Sequence, residues 1–149
     1  MTSAAALEAE YASLQFPRFA EAEALALGQK LVQLAGTAPI VINIRSADRV
    51  FFHAALPGSA PLNDLWARRK SNTALMFQLP SFLVGARNRE NGHTLARNGL
   101  SEADYADHGG AVPIRVTGVG IVACATVSGL PQAEDHALVV AAMQAILAR

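Results

Sequence analysis

Three consecutive polar residues near the carboxyl end, Glu134-Asp135-His136, are the first candidates for chemistry. A neutral imidazole is a good ligand for haem iron or a divalent metal ion, and a neighbouring carboxylate can orient the ring or join the ligand set. Consecutive helical residues point about 100° apart, so His136 with one acid is the most that one ion can receive. In the alternative interpretation, the acids stabilise a helix N-terminus and His136 hydrogen-bonds to a strand end.

A second candidate group is Trp66, Arg69 and Lys70, whose i, i+3 and i+4 spacing places them on one face of a helix. An aromatic ring beside two cations predicts a site for a flat anionic small molecule. The ligand would stack on the ring and form charge-assisted hydrogen bonds with the cations. In the alternative interpretation, Trp66 belongs to the core, Arg68 pairs with Asp64 and the other cations face solvent.

The segment His108-Gly109-Gly110 resembles an oxyanion-hole loop, but the chain has no Gly-x-Ser-x-Gly nucleophile elbow. We therefore interpret Gly109 and Gly110 as turn residues that also let a ligand approach the backbone. The single cysteine, Cys124, lies in an apolar run that is typical of a buried strand, so we expect an inert thiol.

The hydrophobic pattern predicts the elements that must position these residues. Helices are expected from Ser3 onward, over 19–35 with Gly36 as the stop, from Asn63 or Asp64 to Phe77, over 101–105, and from Pro131 to the end. Strands are expected over 39–44, 50–53, 111–116 and 120–127, and residues 78–98 are left unassigned. Hairpins flanked by helices, without alternation of strand and helix, favour an α+β fold on an antiparallel sheet.

The composition limits the class of protein. The chain has 149 residues, 16% of them charged, and a formal net charge of zero, which argues against binding to nucleic acid through a basic surface. No segment is typical of a membrane span or an export signal. A single cysteine suits a reducing compartment, so we expect a cytoplasmic protein. We predict one domain over 1–149, with residues 1–17 as an N-terminal helical extension.

The terminal helix is the strongest indication of self-association. From Ala137 to Ala148 it carries no charged residue, and its large apolar side chains project in nearly every direction. A helix that is hydrophobic all round is expected to be buried all round. Because a sheet covers only one side of such a helix, we expect the other side to pack against a second copy in a homo-oligomer.

The carboxyl-terminal third of the sequence carries a family resemblance. The run from Gly109 to Val116, the Gly118-x-Gly120 turn and the segment from Val127 to His136 resemble the haem-degrading-domain superfamily, which includes GlcG-like proteins and the PduO carboxy-terminal domain. Asn63 to Lys70 resembles a cytoplasmic branch of stand-alone domains. The resemblance implies a profilin-like five-stranded antiparallel sheet between helical layers, symmetric oligomers, and in some members a bound haem, related tetrapyrrole or metal ion.

These observations lead to an oligomeric cytoplasmic protein that binds a small anionic ligand, with haem or a related tetrapyrrole as the candidate. Its pocket would use His136, Trp66, Arg69 and Lys70, lined by the Gly109-Gly110 turn and flanked by the two acids. One alternative is a non-catalytic oligomeric scaffold that binds a partner protein. Another is an enzyme acting on a small acid, with His136 as general base.

Overall fold

The computed structural model describes residues 2–149, which form five α-helices, one short 3₁₀ helix and a five-stranded sheet. The helices are α1 (Ala4–Ala12), α2 (Glu21–Ala35), α3 (Pro61–Phe77), α4 (Ser81–Asn91) and α5 (Gln132–Leu147), and the 3₁₀ helix is Leu95–Asn98. The strands are β1 (Gln15–Phe16), β2 (Val41–Arg45), β3 (Val50–Ala55), β4 (Ala111–Val116) and β5 (Gly120–Ser128).

The strands lie in the order β1-β4-β5-β2-β3. β5 occupies the centre, where Ala125 lies opposite Val112 of β4 and Ile44 of β2. Both hairpins are antiparallel, as the sequence predicts, while the two-residue strand β1 runs parallel to β4. The α+β prediction of five strands between helical layers is confirmed, with the detail that the sheet is mixed rather than purely antiparallel.

The two faces of the sheet carry different side chains because successive strand residues point to opposite sides. On one face, Ile42, Ile114 and Val127 belong to the main apolar core, which α2 and α5 complete. On the other face lies α3, where Ala74 packs against Ala111 and Cys124. These small side chains bring α3 close to the sheet, and this close approach lets its polar residues reach the backbone.

The only cysteine of the chain lies inside this second, small-residue core. Cys124 is fully buried and free, and burial raises the pKa of its thiol to about 12. Because the thiolate is the nucleophile, such a group is inert at neutral pH.

Two parts of the chain differ from the prediction or extend it. Residues 101–105 are not a helix but a turn, in which the Arg69 Nε donates to Glu102 O at 2.7 Å and Arg68 Nη2 to Ala103 O at 3.2 Å. Those carbonyls accept from α3 instead of from their own segment, which replaces the helical bonds. The unassigned region 78–98 contains α4 and the 3₁₀ helix.

The terminal helix α5 is not buried on every side in a single copy of the chain. Val139, Ala142 and Met143 are fully buried against the sheet, whereas Ala137 and Ala141 are exposed. The exposed side of α5 thus carries the small side chains of Ala137 and Ala141, and beyond Glu134 in the first turn it has no charged residue. Among residues 2–149, no helix has both the length and the apolar character that crossing a membrane requires.

Candidate functional site

A buried ion pair joins α3 to the first turn of α5. The Lys70 ammonium group donates to Asp135 Oδ2 at 3.0 Å. It also donates to Val127 O at 2.7 Å and to Gly109 O at 2.9 Å. An ammonium group has three N–H donors, so all of them are used. Lys70 therefore acts as a structural cation that ties α3 to β5, α5 and the segment before β4.

Asp135 is equally occupied. Its Oδ1 accepts from Leu130 N at 2.9 Å, while Oδ2 accepts from Lys70. Burial raises the pKa of Asp135 and lowers the pKa of Lys70, and the attraction between the two charges opposes both shifts. A buried pair of this kind adds little net stability, but it is costly to break from one side only.

The two glycines of the predicted turn let neighbouring groups approach the backbone closely, and Gly110 makes room for this pair. Gly110 has a φ of 134°, and a Cβ placed there would collide with Lys70 Nζ and Val127 O. A Cβ on Gly109 would lie 2.6 Å from Gln132 O. The close approach at Gly110 is thus made by a lysine of the same chain, and the one at Gly109 by the backbone of α5.

The segment from Tyr105 to Gly110 is held at several points by α3 and α4. The backbone N–H of Ala106 donates to Thr73 Oγ1 at 3.1 Å. Asn88 Nδ2 donates to Asp107 Oδ2 at 2.9 Å. These bonds fix the backbone immediately before His108, although that residue lies on the surface.

His108 is presented from this fixed loop against the only tryptophan. Its ring lies edge-on to Trp66, with ring centroids 4.9 Å apart and an angle of 74° between the planes. The Arg69 guanidinium stacks over Trp66, 4.4 Å from the ring centroid. The His108 side chain is 51% exposed, and its Nδ1 lies 3.9 Å from Asp107 Oδ1, too far for a hydrogen bond. The imidazole is therefore available to a ligand.

Two pockets share Trp66 and His108 in their walls. The first, which we call the ion-pair pocket, has a volume of about 240 Å³ and is lined by Asn63, Trp66, Lys70, His108, Gly109, Ser128, Gly129, Leu130, Gln132 and Asp135. The second, the loop pocket, has a volume of about 420 Å³ and is lined by Trp66, Arg69, Thr94, Leu95, Ala96, Glu102, Tyr105, Ala106, Asp107 and His108.

The structure brings most of the predicted site residues to these pockets. Trp66, Lys70, Gly109 and Asp135 line the ion-pair pocket, Arg69 lines the loop pocket, and Gly110 adjoins the buried pair. The predicted alternative pairing of Arg68 with Asp64 is wrong. Arg68 Nη1 lies 3.3 Å from an oxygen of Asp104, and Asp64 lies 2.9 Å from His53 Nε2.

His136 and Glu134 lie elsewhere. The His136 ring is buried against Phe82, with Nε2 only 2.6 Å from Glu10 Oε1 of α1. Its Nδ1 has no hydrogen-bond partner among residues 2–149. Glu134 is exposed on the first turn of α5. Neither residue lines either pocket, and within residues 2–149 no three His, Cys, Asp or Glu side chains are grouped as a metal site requires.

Four polar residues that line the ion-pair pocket are not among the predicted site residues: His108, Asn63, Ser128 and Gln132. The two glycines that follow His108 indicate only a turn, so the sequence alone does not predict a binding role for it. Asn63 is predicted as a helix cap, and its Oδ1 does accept from Ala60 N at 2.9 Å. A usable signal was the position of Asn63 and Gln132, each in the first turn of a helix that carries another candidate residue.

The α+β fold with this pocket defines the class of protein: residues 19–144 match the model of the family described as haem degrading protein HbpS-like, and the chain belongs to that family. A UPF0303 protein of Streptomyces coelicolor is 48% identical over 143 residues, covering 94% of this chain and 90% of that protein. The crystal structure of Ybr137w superposes with a TM-score of 0.90 at 29% identity, covering 99% of this chain and 90% of that one. The PduOC:heme complex shares the fold with a TM-score of 0.72 at 18% identity, covering 85% and 94% of the two chains.

Proposed function

We propose that this protein binds a small ligand in the two pockets that share Trp66 and His108, and that it does so as a homo-oligomer in the cytoplasm. The observation that carries the proposal is the unpaired, half-exposed imidazole of His108, held against Trp66 by a fixed loop. Aromatic faces with a few convergent polar groups are typical of small-molecule sites. The single cysteine, Cys124, supports a reducing compartment.

Haem is the ligand that the family suggests, since PduOC, which has the same fold, is a complex with heme. The loop pocket, at about 420 Å³, falls in the range of about 300–1,000 Å³ that takes larger organic ligands, whereas the ion-pair pocket is smaller. In the loop pocket Trp66 would offer an aromatic face, His108 an imidazole to hold the iron and Arg69 a cation for a carboxylate. Bound haem would supply a redox-active iron to this site.

Haemin titration tests this proposal, because Trp66 is the only tryptophan and lines both pockets. We expect a saturable Soret shift together with quenching of tryptophan fluorescence. His108→Ala should abolish the Soret shift, while His136→Ala and the control His93→Ala should leave it unchanged. The opposite result for His108 and His136 would assign the iron ligand to the carboxyl-terminal motif, and the absence of any saturable shift would remove haem as the ligand.

Self-association is supported by a second feature, the outer face of the α2 and α5 layer. Ala137 and Ala141 of α5 are exposed, and so are Leu25 and Val32 of α2, at 51% and 37%. The two helices pack side by side, and these four side chains supply apolar surface on their exposed sides. Such a surface suits contact with a second copy of the chain. It also fits the alternative function of an oligomeric scaffold.

Light scattering tests the oligomer. We expect a mass of at least two chains, each of 15.6 kDa. Ala141→Glu places a charge in the proposed interface without disturbing the core and should lower that mass. Ala47→Glu, in the exposed turn between β2 and β3, should leave it unchanged. A wild-type mass of 15.6 kDa would contradict self-association.

A further inference from the structure

The polar side chains of the ion-pair pocket are oriented by the backbone. Asn63 Oδ1 accepts from Ala60 N at 2.9 Å, and Gln132 Oε1 accepts from Gly109 N at 3.0 Å. A backbone N–H only donates, so each amide must turn its oxygen toward that partner. The two NH₂ groups then remain as donors, and neither has an acceptor among residues 2–149.

The same pocket has no carboxylate free to repel an anion. Asp135 is its only acidic residue, and both carboxylate oxygens accept hydrogen bonds from Leu130 N and Lys70 Nζ. The Ser128 hydroxyl, also in the wall, makes no hydrogen bond to the described residues and adds a further donor. The pocket therefore offers unpaired hydrogen-bond donors, and the charge of its only carboxylate is neutralised by Lys70.

The N-termini of α3 and α5 also favour an anion at this pocket, in addition to the side-chain donors. Asn63 is the third residue of α3, and Gln132 is the first residue of α5. The positive ends of two helix dipoles thus lie at the pocket. The ammonium group of Lys70 and the carboxylate of Asp135 cancel each other, and His108 is the only other ionisable side chain in the wall.

We propose that the ion-pair pocket binds a carboxylate group, held by the amide donors of Asn63 and Gln132 and by the hydroxyl of Ser128. Neutral donors suit a singly charged planar group, whereas phosphate sites typically use free arginine or lysine, which this pocket lacks. A volume of about 240 Å³ admits a compact acid or the acidic arm of a larger molecule. The inference rests on the proposed function, because the arm would belong to a ligand in the loop pocket.

The test uses Trp66 fluorescence and compares sodium acetate with acetamide, its neutral isostere, and with sodium phosphate at constant ionic strength. We expect a saturable change with acetate only. Gln132→Glu and Asn63→Asp retain an oxygen for Gly109 N and Ala60 N, so the melting temperature should hold. Each variant replaces an amide NH₂ donor by a carboxylate oxygen, whose negative charge repels acetate. We expect acetate binding to weaken about tenfold or more.

Asn98→Asp is the control, because it introduces the same charge at an exposed residue outside both pockets. It should leave acetate binding unchanged. Haemin and its dimethyl ester then distinguish the two sources of the carboxylate. Competition between haemin and acetate, with weaker binding of the ester, indicates the arm of a larger ligand. Acetate binding that haemin does not affect indicates a free acid.

Three results would overturn the carboxylate site. They are an equal response to acetamide, a stronger response to phosphate, and acetate binding that survives both amide substitutions. If haemin binds, acetate does not, and the ester binds as well as the acid, this inference fails while the proposed function stands. If neither haemin nor acetate perturbs Trp66, the carboxylate site fails and haem is removed as the ligand.

Discussion

Lys70→Met is expected to lower the free energy of unfolding by about 3–5 kcal/mol. Methionine has a similar length, but it leaves the Asp135 carboxylate buried without a cation and deprives Val127 O and Gly109 O of their donor. Urea denaturation followed by circular dichroism measures the change. Arg68→Met, at an exposed neighbour on the same helix, should cost less than about 1 kcal/mol. Equal losses in the two variants would contradict a structural role for the ion pair.

The loss in Lys70→Met should also depend on pH in a defined direction. Burial raises the pKa of Asp135 above its ordinary value of 3.8, and removal of the Lys70 charge raises it further. The folded state then binds a proton more tightly than the unfolded state, so the variant is most stable below the unfolded pKa and loses stability as pH rises through the folded pKa. The deficit should therefore shrink as the pH is lowered, and adding Asp135→Asn should recover part of it at neutral pH.

Gly110→Ala is the second substitution with a large expected effect, a loss of about 3 kcal/mol or more. The new Cβ would collide with Lys70 Nζ and Val127 O, at a φ of 134° that residues with a side chain rarely adopt. Gly118→Ala is the matched control, because its φ of 78° is also positive but no heavy atom lies within 4 Å of the added Cβ. It should cost only about 1–2 kcal/mol of backbone strain. Similar losses at the two glycines, measured by urea denaturation, would show that backbone conformation and not the buried pair sets the cost.

The parts of the fold that could be predicted are those whose burial follows the period of their own element. Leu27 and Leu31 recur on one face of α2, and Ile42 and Ile44 alternate along β2. α4 could not be recognised in this way, because all six residues of Ser81–Ala86 are buried and leave no polar face to mark a helical period. The two-residue strand β1 depends on its pairing with β4, 100 positions away, which no local pattern records.

The candidate site shows a similar division. Helical spacing placed Trp66, Arg69 and Lys70 together, and Arg69 does stack over Trp66. Spacing could not show that Lys70 turns inward to a carboxylate 65 positions away, because that depends on the small side chains beneath α3 and on Gly110. The position of His108 likewise depends on bonds that hold its loop to α3 and α4, and these join residues with no sequence signal in common.

The contact between Trp66 and His108 belongs to both pockets, and this sharing has a thermodynamic consequence. If a ligand in one pocket shifts either ring, it changes the shape of the other pocket, and the two occupancies would then be coupled. Such coupling is reciprocal: whatever factor the first ligand imposes on the affinity of the second, the second imposes on the first. The amount of one small molecule bound would then depend on the concentration of the other, with no movement beyond two aromatic rings.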